Sequence, residues 1–313
     1  MKYVGLHTQQ TQNNFKSILL LILFPCLVLF LTYLFCALLT SFDADNTGVT
    51  FDIFMSIAPF VVIVVAIWFM IAYFTNTSII NKATGAKTLE RKDNKRIYNL
   101  VENLCMSKGM TMPKVNVIEE DSLNAYASGI NNNTYTVSLT RGIINRLDDD
   151  ELEGVIAHEL AHIRNRDVRL LIVSIVFVGI FAMLTQIAFR TLINTSGRSN
   201  NKNGKGMIVI VLIALVVATI GYFCTTLMRF AISRKREYMA DAAASEMTRK
   251  PQALASALRK ISRNPNIEAI KRDDVAQLFI EHPLKSKSLS SKIASLFATH
   301  PPIETRINIL EQF

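Results

Sequence analysis

The sequence predicts a mainly α-helical membrane protein, built of two hydrophobic hairpins and of water-soluble segments that form an α+β part with a small sheet. Three observations carry this. Half of the 313 residues are hydrophobic and only 19% are charged, which gives a mean hydropathy of +0.28. The apolar residues gather in four runs, Ile18 to Thr40, Phe51 to Phe74, Leu170 to Phe189 and Met207 to Met228. Each is near the roughly 20 residues with which a helix crosses about 30 Å of hydrocarbon. Outside the runs the chain shows the helical and alternating patterns of soluble domains.

The first hairpin is the plainest element. Only a short acidic loop with Asp43 and Asp45 separates its two runs, so the first run is expected to be retained rather than removed as a signal peptide. Lys2 and Lys16 precede it, and Lys82, Lys87, Arg91, Lys92, Lys95 and Arg96 follow it. Cytoplasmic flanks of membrane helices carry such an excess of Lys and Arg, so both ends of the hairpin are expected in the cytoplasm. The same clustering accounts for the net charge of +9. No basic stripe interleaved with aromatics is visible, and nucleic acid is not an expected partner. The four cysteines form no CxxC pair, which leaves them as reduced apolar residues.

The soluble stretch after the hairpin opens with a helical pattern over Asp93 to Lys108, with Ile97, Leu100, Val101 and Leu104 on one stripe. Pro113 to Ile118 and Tyr135 to Leu139 alternate like strands. Asp148, Asp149 and Asp150 then start a helix, where carboxylates suit the unpaired N–H groups and the positive end of the dipole. The segment after the fourth run reads as mostly helical, and Lys285 to Lys292 reads as a mobile loop. The expected divisions are 1–75, with the first hairpin; 76–167, with the Asp148 helix; 168–230, the second hairpin; and 231–313.

The chemistry concentrates in His158-Glu159-Leu160-Ala161-His162. Histidines at i and i+4 share one helix face, so both imidazoles reach a single zinc ion, and the glutamate after the first can take a proton from metal-bound water. With only five histidines in the chain, that pattern is improbable by chance. The turns that follow lack a third histidine, so another ligand must come from elsewhere. Among the acids Glu237 stands out, with Asp241 one turn later. Glu237 would ligate and Asp241 would accept a hydrogen bond from a ligand imidazole; the alternative left open by spacing alone is an ordinary exposed helix face.

The pattern resembles the HtpX-type integral-membrane zinc metalloproteases, which are related to the CAAX prenyl endopeptidases. Four segments carry the resemblance: the His158 to His162 motif, Ser233 to Asp241, Asn124-Ala125-Tyr126-Ala127-Ser128-Gly129, and Thr299-His300-Pro301-Pro302-Ile303-Glu304-Thr305-Arg306. Together with the four apolar runs they extend it over nearly the whole chain; Tyr126 and Ser128 are mild variations. The resemblance implies a zincin-like (gluzincin) catalytic domain on the cytoplasmic side and one Zn2+ per chain, held by His158, His162 and Glu237. It implies Glu159 as general base, and an edge strand at Asn124 and Ala125 on which an extended substrate lies. His300, in the Thr-His-Pro signature and stiffened by Pro301 and Pro302, is expected to donate to the oxygen of the attacked carbonyl. Arg306 could pair with an acid such as Asp241 and hold that segment against the site. The substrates implied are unfolded or damaged polypeptides of the membrane, in a quality-control or stress-response setting, and the location is a cytoplasmic (inner) membrane.

One feature pulls against this topology. Arg190 to Gly206, between the last two runs, contains four basic residues and no acid, yet it lies outside if the second hairpin crosses. The zinc ligands stand on both sides of that hairpin, so it crosses twice or not at all, and two crossings suit such apolar runs better. A membrane scaffold with a structural zinc would close the fourth coordination position, for which no ligand is evident. A transporter would place charges inside the runs, which carry none except Asp52 at the margin of the second. Cysteine labelling in a cysteine-free background should find positions near Asp45 outside, and positions near Lys92 and Arg263 inside. Lys92 and Arg263 labelling from opposite faces would rule out a shared zinc site.

Overall fold

The computed structural model describes residues 6–41, 49–196, 202–230, 235–263, 279–280 and 301–312. The acidic loop with Asp45, His282, the stretch Lys285 to Lys292 and His300 lie outside them. Among the described residues the chain is mostly helical, with four helices apolar and long enough to cross a membrane and one small mixed sheet. It divides into two compact units.

One unit is formed by 16–74 and 173–231 and holds most of four apolar helices: α1 (Leu6–Thr40), α2 (Val49–Thr84), α6 (Asp167–Ser196) and α7 (Lys202–Phe230). Their candidate spans are Thr11–Thr40, Val49–Thr84, Asp167–Asn194 and Met207–Thr226. The most apolar window of α2 has no residue buried by protein, and Phe60, Val64 and Phe74 are all exposed. Surface of that kind requires hydrocarbon rather than water around it. Inside the unit Phe24, Leu31, Val173, Phe177, Phe181, Ile213 and Val217 pack together. The Phe24 and Phe177 rings stack at 3.9 Å between centroids. Gly221 makes room for this core, since a Cβ there would lie 2.2 Å from the Phe181 ring.

The other unit comprises 1–15, 75–172 and 232–313. Its sheet has the order β1-β2-β4-β3, with β1 (Lys87–Thr88), β2 (Lys114–Ile118), β3 (Ala125–Ser128) and β4 (Thr136–Thr140). The central pair β2 and β4 is parallel, with Val115 opposite Val137; the flanking pairs are antiparallel. Helix α3 (Lys95–Ser107) is capped by the Asn94 side chain and buries Ile97, Val101 and Leu104. The short α4 (Arg141–Arg146) follows β4 directly.

Helix α5 (Asp149–Arg164) is the spine of this unit, packed against α3, α8 (Lys235–Thr248), α9 (Pro251–Ile261) and β3. Eleven of its residues are buried, so its stability derives from packing on several sides and not from one amphipathic stripe. Gly154 allows the close approach to α9, for its Cβ would meet Leu254 at 3.2 Å. A last helix, α10 (Ile303–Leu310), buries Ile303, Arg306, Ile307 and Leu310 and packs on α8 and α9.

The start of α5 is fixed by a reciprocal capping box. Asp148 accepts from the Glu151 N–H at 2.8 Å, and Glu151 accepts from the Asp148 N–H at 3.1 Å. Glu151 also accepts from Ser256 at 2.7 Å and from Lys260 at 2.6 Å on α9, so one carboxylate both caps α5 and ties it to its neighbour. Burial raises the Glu151 pKa, but the donors Lys260, Ser256 and the Asp148 N–H outweigh it and hold the pKa below the usual carboxylate value. A depressed folded pKa contributes stability above the unfolded value, and that stability is lost as pH falls through the folded one. Glu151→Ala, which strands Ser256 and an N-terminal N–H, should cost on the order of 1–3 kcal/mol, read as a thermal midpoint lowered by several degrees. On acidification below the usual carboxylate pKa, the wild-type midpoint should fall more steeply than that of Glu151→Gln.

Candidate metal centre

Three side chains from two helices meet at one point. His158 and His162 project from the same face of α5, and Glu237 lies in the first turn of α8. Their ligand atoms all lie within 4.8 Å of one another. The two Nε2 atoms are 3.1 Å apart, and each is 3.6 Å from an oxygen of Glu237. His158 is fully buried, Glu237 is 4% exposed, and His162 is the more open of the two rings. Two ring nitrogens and a carboxylate oxygen aimed at one point form a donor set that could hold a divalent cation.

Behind this point lies a buried charge network. Asp241, one turn after Glu237, stands 2.9 Å from the Nδ1 of His158. Arg306, 1% exposed, forks onto Asp241, its Nε donating to Oδ2 at 2.8 Å and its Nη2 to Oδ1 at 2.7 Å. The same guanidinium lies 3.6 Å from Glu237. Burial pushes the Asp241 carboxyl up, but Arg306 beside it pulls harder and holds it at about 2. Burial pulls the His158 imidazole down, yet Asp241 and Glu237 outweigh it and lift it to about 9. A cation bound at this imidazole would compete with a proton.

Glu159 is 2% exposed. Burial raises its pKa above the usual carboxylate value, and the negative Glu237 adds to this against the pull of His158, His162 and Arg306. A carboxylate shifted in that direction is the better proton acceptor.

Asn124 and Ala125 lie at the sheet margin, where β3 is the last strand. The Asn124 carbonyl accepts from the Thr140 N–H on β4 at 3.1 Å, the Asn124 N–H donates to the Thr140 hydroxyl at 3.1 Å, and the Asn124 side-chain oxygen accepts from the Ala125 N–H at 3.0 Å. The outward carbonyl of Ala125 accepts from the Ile280 N–H at 2.9 Å, with Phe279 bridged to Tyr126 and their rings edge to face. The Ile280 carbonyl in turn lies 3.5 Å from the Nη1 of Arg306. His300 lies outside the described residues.

One carboxylate at the centre escaped the sequence reading. Asp167 stands 3.2 Å from the Nδ1 of His162, although it lies five residues after that histidine. On an unbroken helix a spacing of five turns the side chain about 140° away, outside the three- and four-residue spacings that place neighbours on one face. Arg166, with φ of 62°, breaks the helix there and brings Asp167 back. An Arg-Asp sequence gives no sign of such a left-handed turn, which Gly or Asn would have signalled.

Residues 91–313 match the model of peptidase family M48. The chain is 65% identical to a protein named Protease HtpX homolog from Bacteroides fragilis, over the full length of both. It is 36% identical to a Protease HtpX homolog from Dictyoglomus turgidum, over 91% of this chain and 88% of that one. A solved structure, of S. mikatae Ste24p, aligns with 90% of this chain at a TM-score of 0.48 and 21% identity, and the chain spans 61% of its length. On the strength of the family match and of the full-length relative, the chain belongs to peptidase family M48.

Proposed function

We propose that the protein is a zinc-dependent endopeptidase of the cytoplasmic membrane that hydrolyses peptide bonds in unfolded, misfolded or damaged membrane polypeptides, with its site on the cytoplasmic face. The observation that carries this reading is the convergence of His158, His162 and Glu237 beside a buried Glu159. The distances suit zinc. Two ligands, each roughly 2.05 Å from a tetrahedral ion, stand about 3.3 Å apart, against 3.1 Å between the two Nε2 atoms and 3.6 Å from each to a different oxygen of Glu237. Three protein ligands also leave a fourth position open, as catalytic sites do.

Bound there, zinc would polarise the scissile carbonyl and lower the pKa of a water towards about 7. The rest of the reaction belongs to the chain. Glu159 takes a proton from the attacking water as the new C–O bond forms, and returns it to the amide nitrogen as the C–N bond breaks. Asp241 accepts from the Nδ1–H of His158 and so fixes the tautomer that leaves Nε2 for the metal. Arg306 keeps Asp241 ionised and in place. His300 is assigned the hydrogen bond to the negative oxygen that develops on the carbonyl, and Asn124 and Ala125 the edge along which the peptide runs.

The membrane assignment is supported by the four apolar helices, and the orientation by the Lys and Arg residues that follow α2. Asp167, where a candidate span begins, is the fifth residue after His162, which suits substrates that are themselves held in the bilayer.

Purified protein should contain one zinc per chain and cleave an unfolded polypeptide, losing activity to a chelator and regaining it on addition of zinc. Glu159→Gln should retain zinc and lose hydrolysis by roughly 10²–10⁴-fold, whereas His158→Ala, His162→Ala and Glu237→Ala should lose the metal or bind it much more weakly. Wild-type cleavage by Glu159→Gln would end this reading. His300→Ala should bind zinc normally, with turnover lowered by about a hundredfold or more and little change in KM; wild-type turnover, or loss of zinc, would remove His300 from the reaction.

A further inference from the structure

We propose that Asp167 and Asn13 are positioning residues of the metal centre: Asn13 holds the Asp167 carboxylate, and Asp167 holds the His162 ring so that its Nε2 faces His158 and Glu237. The proposal rests on the metal-site reading above and extends it to the first helix of the chain.

The geometry is a short buried chain of hydrogen bonds. Asp167 is 1% exposed and Asn13 is 4% exposed. Oδ2 of Asp167 lies 3.2 Å from the Nδ1 of His162, and its Oδ1 accepts from Nδ2 of Asn13 at 2.7 Å. The same amide nitrogen donates to the backbone carbonyl of Asn165 at 2.9 Å. Both partners are acceptors only, so the amide must present its nitrogen here and both of its protons are used. One side chain thereby clamps the carboxylate and the turn that delivers it. That turn runs through Arg166 in the left-handed region, at φ of 62°, which disfavours any residue with a Cβ. Asn13 supplies part of the compensation.

The arrangement repeats what Asp241 does for His158, with one difference. Asp241 is gripped by a cation, whereas the Asn13 amide that holds the Asp167 carboxylate is neutral. A carboxylate on the far nitrogen fixes the tautomer and raises the basicity of the ligating one. Asn13 lies on α1 ahead of its apolar run and is grouped with the unit that carries the ligands. The amino-terminal turns of the chain are therefore part of the centre.

The test uses the full-length protein in detergent, stripped of metal and titrated with zinc against a chromophoric chelator, with the visible spectrum of the cobalt(II) form as a second readout. Asp167→Asn should weaken zinc roughly 10–100-fold and alter the cobalt spectrum. Asn13→Ala should weaken it several-fold in the wild-type background and not at all in Asp167→Asn, because its effect passes through that carboxylate. Wild-type zinc affinity in Asn13→Ala overturns the proposal, and so does a loss of equal size in both backgrounds. If Asp167→Asn fails to fold, Asn13→Ala alone decides by the same criterion. A wild-type protein that binds no zinc would instead overturn the metal-site reading itself.

Discussion

A guanidinium can be withdrawn from water only where charge and hydrogen-bond acceptors replace the solvent it loses, and Arg306 is almost wholly withdrawn. Its fork onto Asp241 meets that demand with two parallel charge-assisted bonds. Removing either partner of such a buried pair typically costs about 3–5 kcal/mol, because the other is stranded. The pair therefore fastens α10 to α8. Through the contact of Asp241 with His158 it also fastens both helices to α5. The facing of Glu237 toward the two histidines depends on that triple junction.

The two histidines are supported unequally. His158 is fully buried and backed by a carboxylate whose own charge is shared with Arg306. His162 is more open, and its carboxylate is held by an amide. One support comes from α10 and the other from α1. The candidate metal centre is thus closed by contacts of very large sequence separation, 65 residues for Arg306 to Asp241 and 154 for Asn13 to Asp167. Contacts of that kind form late, after the loop-closure entropy has been met.

What was legible in the sequence follows from this. His158 with His162, and Glu237 with Asp241, are pairs at four-residue spacing, and helical geometry alone places each pair on one face. The apolar runs, the strands at Lys114 and Thr136 and the acidic start of α5 were legible for the same reason: the signal and the structure are both local. Asp167 was hidden because its placement depends on a left-handed Arg166. Asn13 was hidden because nothing local marks one asparagine among several. The two-residue strand β1 is too short to show a period. The pairing of Phe279 with Tyr126 joins residues that no pattern relates.

That last pairing changes how the sheet margin behaves toward other chains. The outward carbonyl of Ala125 is already satisfied by Ile280, and the Phe279 ring is fully buried against Tyr126. An open strand edge recruits any extended segment it meets; this one is blunted at Ala125 by its own chain. A polypeptide that pairs with Ala125 must therefore exchange with Ile280 instead of adding to a vacant register. Its apparent affinity is then scaled by the fraction of molecules in which that position is free.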